Sequence, residues 1–322
     1  MPLLVRFLGT AASRPTVERG VASLAIIREG QTLLFECGEG TQRQMMRYGV
    51  SFSFEDLFLT HTHSDHILGI TGLIRTMALQ GRTDRLRLWA PRGAGKMLRQ
   101  CISLGGERTT FPVDLTELEA GATLARGDYR IEAFAVEHGP STSLGYALVE
   151  EERKGRFNPD LARELGIPEG PLWGRIHRGE NITLDDGRMI EPSVLVGERR
   201  RGRRIVLTGD TRPCQATIDA ARDADLLIHE ATFADEEAAR ALETGHSTAR
   251  EAAEVAMAAG AKRLALTHIS ARYSLNARDL EREARQVFAN TMVVRDGTEI
   301  ELGLTEEPAA TTDAAATDAA TS

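Results

Sequence analysis

Lysine is almost missing from this 322-residue chain: it stands only at Lys96, Lys154 and Lys262, so arginine supplies nearly all the positive charge. Genome base composition is the plainest source of that bias, although arginine also suits bidentate contacts to phosphate. Positive charge is short overall as well. With 39 Lys and Arg against 47 Asp and Glu, the formal net charge is −8. A nucleic-acid partner would therefore have to be held by local basic patches, not by bulk charge. Cysteine is scarce too. Cys37, Cys101 and Cys214 are far apart and form no CxxC pair, which argues against a disulfide framework and against a thiolate zinc knuckle. No apolar run is long enough to span a bilayer, and Met1-Pro2-Leu3-Leu4-Val5-Arg6 reads as the start of a strand, not a signal peptide. A soluble cytoplasmic protein with no membrane partner is the expectation.

What is present suits one large domain or two small ones: 42% of residues are hydrophobic, enough for a full core. Short apolar runs alternate with helical segments from Leu3 to Leu302. One stretch breaks this rhythm. Residues 151–204 hold the turn-formers Gly155, Pro159, Gly166, Pro168 and Gly170, few apolar runs, and the basic run Arg199-Arg200-Arg201-Gly202-Arg203-Arg204. It reads as an insertion or arm within a domain of residues 1–304. Residues 305–322 are mostly Ala, Thr, Asp and Glu, a composition that cannot bury a core and predicts a disordered tail.

The chemistry concentrates in Thr60-His61-Thr62-His63-Ser64-Asp65-His66, just after the apolar run Asp56-Leu57-Phe58-Leu59. The run reads as a short buried strand and the cluster as the loop that follows. Imidazole and carboxylate are common ligands for zinc and similar divalent ions. On extended backbone His61 and His63 point to one side, whereas adjacent Asp65 and His66 diverge unless the chain turns there. One cluster can therefore feed two neighbouring metals. Three further candidates, His138, Asp210 and His268, each closely follow an apolar run. Singly they have plainer readings: a loop histidine, a cap for a helix entered at Thr211, and a satisfied core histidine. Jointly they repeat one design. Seven ligands with Asp210 bridging give two cations four protein contacts each, and such paired sites hydrolyse phosphoesters and amides through an activated hydroxide.

With these residues assembled, the chain resembles the metallo-β-lactamase fold superfamily through HxHxDH at His61 to His66, and within it the ribonuclease Z family, the tRNA 3′-processing endonucleases. Phe7-Leu8-Gly9-Thr10 with Pro15-Thr16, Cys37-Gly38-Glu39-Gly40-Thr41-Gln42 and Gly209-Asp210-Thr211 match family segments. So do His229-Glu230-Ala231-Thr232 (its HEAT motif), His246-Ser247-Thr248 (HST) and Thr267-His268-Ile269-Ser270-Ala271-Arg272-Tyr273. The family usually has Asp where Glu36 stands, and commonly Arg-Asn at Arg19-Gly20.

The resemblance implies an α/β fold, a four-layer αββα sandwich with an inserted flexible arm. It implies two Zn2+ per chain: His61, His63 and His138 on one, Asp65, His66 and His268 on the other, bridged by Asp210. Asp65 would accept a proton from the attacking water, and His246, supported by Glu230, would donate one to the leaving 3′ oxygen. His229 is expected to support the site from behind, and the Ser247 hydroxyl to cap the helix from Thr248. The arm would grip the body of precursor tRNA, with Gly170, Pro171, Arg175 and Arg178 in contact and His177 adding a polar group, and the enzyme would be a homodimer. A related phosphodiesterase or 3′ exoribonuclease on the same scaffold is the nearest alternative.

Overall fold

The computed structural model describes residues 3–106, 109–139 and 142–304; the expected disordered tail from Thr305 lies outside the described residues. Strict alternation builds the first strand, β1 (Leu3–Gly9): Leu3, Val5 and Phe7 are buried while Leu4 and Arg6 are partly open. It is followed by β2 (Ser23–Arg28) and β3 (Gln31–Phe35), a hairpin with a two-residue turn. Glu29 and Gly30 both have positive φ there, 50° and 82°, as a type I′ turn requires. Then come β4 (Asp56–Phe58), β5 (Leu86–Pro91) and β6 (Val113–Leu118), paired in parallel beyond β3.

The second half adds β7 (Thr123–Ala125), β8 (Tyr129–Ala135) and β9 (Leu144–Glu150), then a two-stranded hairpin β10 (Ile182–Thr183) and β11 (Met189–Ile190). The core resumes with β12 (Arg204–Leu207), β13 (Leu226–Glu230), β14 (Leu264–Thr267), β15 (Thr291–Val293) and β16 (Glu299–Leu302). Two seven-stranded sheets result, ordered β16-β1-β2-β3-β4-β5-β6 and β15-β14-β13-β12-β9-β8-β7. Their inner faces share one core, where Phe35, Phe58 and Tyr146 stack within 6.0 Å of one another.

Helices cover both outer faces. On the first sheet lie α1 (Thr41–Arg47), α2 (Ser64–Ile67), α3 (Gly69–Leu79) and α4 (Gly95–Ser103), around a cluster that includes Met45, Ile70, Leu73 and Leu98. On the second, the alanine-rich helix Ala249–Ala259 lets its backbone approach the sheet closely, with Arg278–Arg285 beside it. The architecture is the expected αββα sandwich.

Contacts divide the chain into two compact units. One holds residues 1–149 and 204–303; the other holds Glu150–Arg203. The second unit has more order than its composition announces. Its helices α5 (Pro159–Glu164), α6 (Pro171–Arg178) and α7 (Pro192–Leu195) and its hairpin enclose Ala162, Ile167, Ile176, Ile182, Ile190 and Leu195. These apolar residues are spread singly, so no run betrays them. Nor is the basic run simply exposed. Arg203 is buried against Glu150, at 2.7 Å from each carboxylate oxygen. Among the described residues, no helix is long and apolar enough to cross a membrane.

Candidate metal centre

The strands deliver their polar residues at their C-terminal ends. β4 leads to His61, β8 to His138, β12 to Asp210 and β14 to His268, so four separate elements converge on one edge of the sandwich. The cluster that sequence reading placed in a loop is part helix. His63 caps α2 in extended conformation, and the helical turn of α2 then brings Asp65 and His66 back toward His61. That is the backbone turn the adjacent pair requires.

All seven expected ligands meet. His61, His63, His138 and Asp210 offer donor atoms within 4.8 Å of one another, as do Asp65, His66 and His268. Asp210 lies between the sets: its Oδ2 is 3.5 Å from His61 Nε2, 3.3 Å from His66 Nε2 and 3.8 Å from His138 Nε2, and its Oδ1 is 3.3 Å from His268 Nε2. Burial would push the Asp210 carboxyl up, but the rings of His268, His66 and His61 hold it well below the usual carboxylate range. Burial acts the same way on Asp65, and contact with the His268 ring, with His66 beside it, holds its carboxyl below the usual carboxylate range.

The outer nitrogens decide what the inner ones can do. His138 Nδ1 donates to the Gly245 carbonyl at 2.8 Å, and His66 Nδ1 faces Glu36 Oε2 at 3.3 Å. His268 Nδ1 is 2.9 Å from Thr232 Oγ1, whose own proton goes to Glu230 Oε2 at 2.7 Å. With their protons spent outward, His138 and His268 turn a lone pair inward. His61 Nε2, His66 Nε2 and Asp210 Oδ1 are buried without hydrogen-bond partners, a costly state for polar atoms that a cation would relieve. The donor set fits divalent metals. Of these outer partners, Glu36, Glu230 and Thr232 stood out in the sequence as parts of family segments, but which ring each one meets did not, because each lies far along the chain from it. Backbone strain gathers here too: Ser13, Glu36 and His268 have φ of 60°, 61° and 55°, and the Ser13 amide donates to Asp65 Oδ2 at 2.7 Å.

A family model described as anti-Pycsar protein Apyc1 matches residues 3–163, and one described as a beta-lactamase superfamily domain matches residues 185–269. Over nearly its whole length the chain is 77% identical to Ribonuclease Z of Gemmatimonas aurantiaca, covering 97% of this chain and 99% of that one. It is 49% identical to Ribonuclease Z of Myxococcus xanthus, covering 94% and 98%. The chain belongs to the ribonuclease Z family. These are tRNA 3′-endonucleases, a class of hydrolase. The crystal structure of human tRNase Z, short form, is similar at a TM-score of 0.66 and 25% identity, covering 92% of this chain and 98% of that chain.

The ribonuclease Z motifs HEAT and HST meet beside the ligands. Glu230 is buried, and its Oε1 accepts from the Thr211 amide at 2.9 Å and from His246 Nδ1 at 2.8 Å. His246 Nδ1 is also 4.0 Å from Asp210 Oδ2. Burial disfavours a charged His246 ring, yet Glu230, then Asp210 and Asp65, push its pKa up to about 9. His229 is fully buried and points its Nδ1 at the Glu230 carbonyl, 2.7 Å away. One expectation fails. Thr248, not Ser247, caps the following helix, accepting from the Glu251 amide in a capping box. The Ser247 hydroxyl instead donates to the Thr211 carbonyl at 2.6 Å. Nor does Asp210 cap a helix, since the next one starts at Gln215. In place of the family's usual aspartate, Glu36 reaches both the Thr60 amide, at 3.1 Å, and His66; its positive φ and longer side chain act together.

The residues expected to form the arm's contacts lie in the second unit. Gly170 takes φ 139° just before Pro171 opens α6, a conformation glycine alone adopts readily. Arg175 and Arg178 on that helix both pair with Glu180, at 2.8 and 3.4 Å. His177 Nε2 lies 3.1 Å from the Gly155 carbonyl.

Proposed function

We propose that this chain is a zinc-dependent endoribonuclease that cuts precursor tRNA after its last mature nucleotide, the discriminator, and leaves a 3′-hydroxyl. What carries the reading is the convergence of seven donors with the His246–Glu230 pair on their flank. His61, His63 and His138 would hold one of two cations, Asp65, His66 and His268 the other, with Asp210 between them. Bound there, the cations would neutralise phosphate charge and make water acidic enough to attack near neutral pH.

The remaining work falls to side chains. Asp65, kept ionised, takes the proton of the attacking water. His246, kept charged by Glu230, gives its proton to the departing 3′ oxygen. The arm, through Gly170, Pro171, Arg175 and Arg178, grips the tRNA body, and in a homodimer one subunit's arm serves the other's site. Local basic surface supports an RNA substrate despite the net charge of −8: Arg278, Arg282, Arg285 and Arg295 line one open groove, where Asp279 pairs with Arg282 and Glu281 with Arg285. A cytoplasmic location agrees with this substrate.

End-labelled precursor tRNA, with products mapped at nucleotide resolution, tests the reaction. A single cut with a 3′-hydroxyl supports it; a ladder from the 3′ end would favour an exoribonuclease. His246→Ala should slow cleavage about 10²–10⁴-fold while bound zinc stays at about two per chain, the count that the seven ligands allow. The metal count matters because Asp210, His246 and His268 also lie within 4.8 Å of one another. Loss of metal in the variant would make His246 a ligand and overturn its role as acid.

A further inference from the structure

A cavity of about 190 Å³ opens beside the candidate metal centre, with His246 as part of its wall. Ser13 and Arg14 line one side, Arg240 and Thr244 of helix Ala238–Thr244 another, and Thr232, Phe233 and the segment Ser270 to Arg272 complete it. Its groups are not equivalent. The Arg272 charge is spent on Glu237. Phe233 is buried, with its ring tilted against His246 at 6.2 Å between centroids. The Arg240 guanidinium lies 6.0 Å over that same ring and, among the described residues, meets no carboxylate. Arg14 is exposed, and it too has no acidic partner among the described residues.

A guanidinium laid over an aromatic ring keeps its outer face free, and flat cations of this kind stack on unpaired bases. Thr244 Oγ1, whose proton goes to the Arg240 carbonyl at 2.8 Å, can accept from a base edge, the Ser270 hydroxyl can donate to one, and Arg14 can meet a phosphate. That chemistry suits a nucleotide. We infer that this cavity receives the discriminator nucleotide, the one that becomes the new 3′ end, with its base stacked on Arg240. The inference rests on the proposed reaction. There, water oxygen bonds to phosphorus and its proton passes to Asp65. The P–O3′ bond breaks, its electron pair leaves with O3′, and O3′ takes the proton of His246. Glu230 occupies His246 Nδ1, so the transferable proton sits on Nε2. The nucleotide against His246 is therefore the one that keeps O3′, and the cavity lies on the tRNA side of the cut, not on the trailer side.

The test is a cycle with two kinds of change. Precursors are made with an abasic discriminator or an abasic first trailer nucleotide, and each is cleaved by the full-length zinc enzyme and by Arg240→Ala. Removing the discriminator base and truncating Arg240 should each lower kcat/KM about tenfold, mainly through KM. Together they should cost no more than either alone. Arg240→Lys should not restore the loss, because it keeps charge without a stacking face. Additive losses, coupling to the trailer base instead, or full rescue by lysine would each overturn the assignment. Failure of the unmodified enzyme to cut unmodified precursor at the discriminator would instead overturn the proposed reaction.

Discussion

At the scale of single residues, the centre is organised by what stands behind the ligands. Glu230 holds His246 beside them and reaches two of them, through the Thr211 amide next to Asp210 and through Thr232 to His268. The last link is directional. Because the Thr232 hydroxyl gives its proton to Glu230, its oxygen can only accept from His268 Nδ1, which leaves Nε2 as the lone-pair nitrogen. Thr232→Val keeps the shape and removes both bonds. Metal affinity should fall about 10–100-fold, read by competition with a chromophoric chelator, while the native fold persists in circular dichroism. Unchanged affinity would mean that the tautomer of His268 is set by something else. This relay was hard to see beforehand. Thr232 is the final residue of the HEAT motif, but nothing in its spacing tells which strand-end histidine it faces.

At the scale of elements, legibility followed periodicity. Strands with clean alternation, such as β1 and β8, and helices with spaced apolar residues, such as α3, were readable from residue order. The seven residues that gather at the candidate centre were readable because the cluster from His61 to His66 and each of His138, Asp210 and His268 closely follow an apolar run. What sequence pattern missed was local and non-periodic. α2 is a four-residue turn whose polar face carries the ligands, and a pattern of histidines hides it. The second unit's cluster takes Ile167 from a loop and one buried residue from each short element, so no window shows it. Helix Ala249–Ala259 went wrong by one position at its start. Ser247 and Thr248 are both good caps by type, and only the reciprocal bonds between Thr248 and Glu251 distinguish them. Thr248→Ala should therefore cost about 1 kcal/mol in urea unfolding, and Thr248→Ser only a fraction of that. Equal losses from both changes would show that the methyl, buried with its residue, matters more than the cap.

At the scale of the whole molecule, the arm is a unit with its own apolar cluster, and chain geometry shows where it can be cut away. Arg153 and Arg200 exchange paired backbone bonds, each 2.8 Å, just outside the sandwich strands β9 and β12. Between that pair and the strands, Glu150 and Arg203 form the buried ion pair that would cost about 3–5 kcal/mol to break. Replacing Lys154–Arg199 by Asn-Gly makes a two-residue turn across the Arg153–Arg200 bridge. It keeps the ion pair and removes all six buried residues of the arm cluster together, leaving no exposed remnant. The shortened enzyme should hydrolyse a small phosphodiester at a rate close to that of the full chain, since all seven proposed metal ligands and the His246–Glu230 pair remain. Precursor tRNA cleavage should fall by orders of magnitude. In the full chain, kcat/KM for precursor tRNA should drop steeply between 50 and 200 mM salt, at least about tenfold, as phosphate gripping requires; the small substrate should show no such slope. Loss of both activities on shortening would mean that the arm supports the centre itself, and an unchanged precursor rate would place the tRNA grip elsewhere on the sandwich.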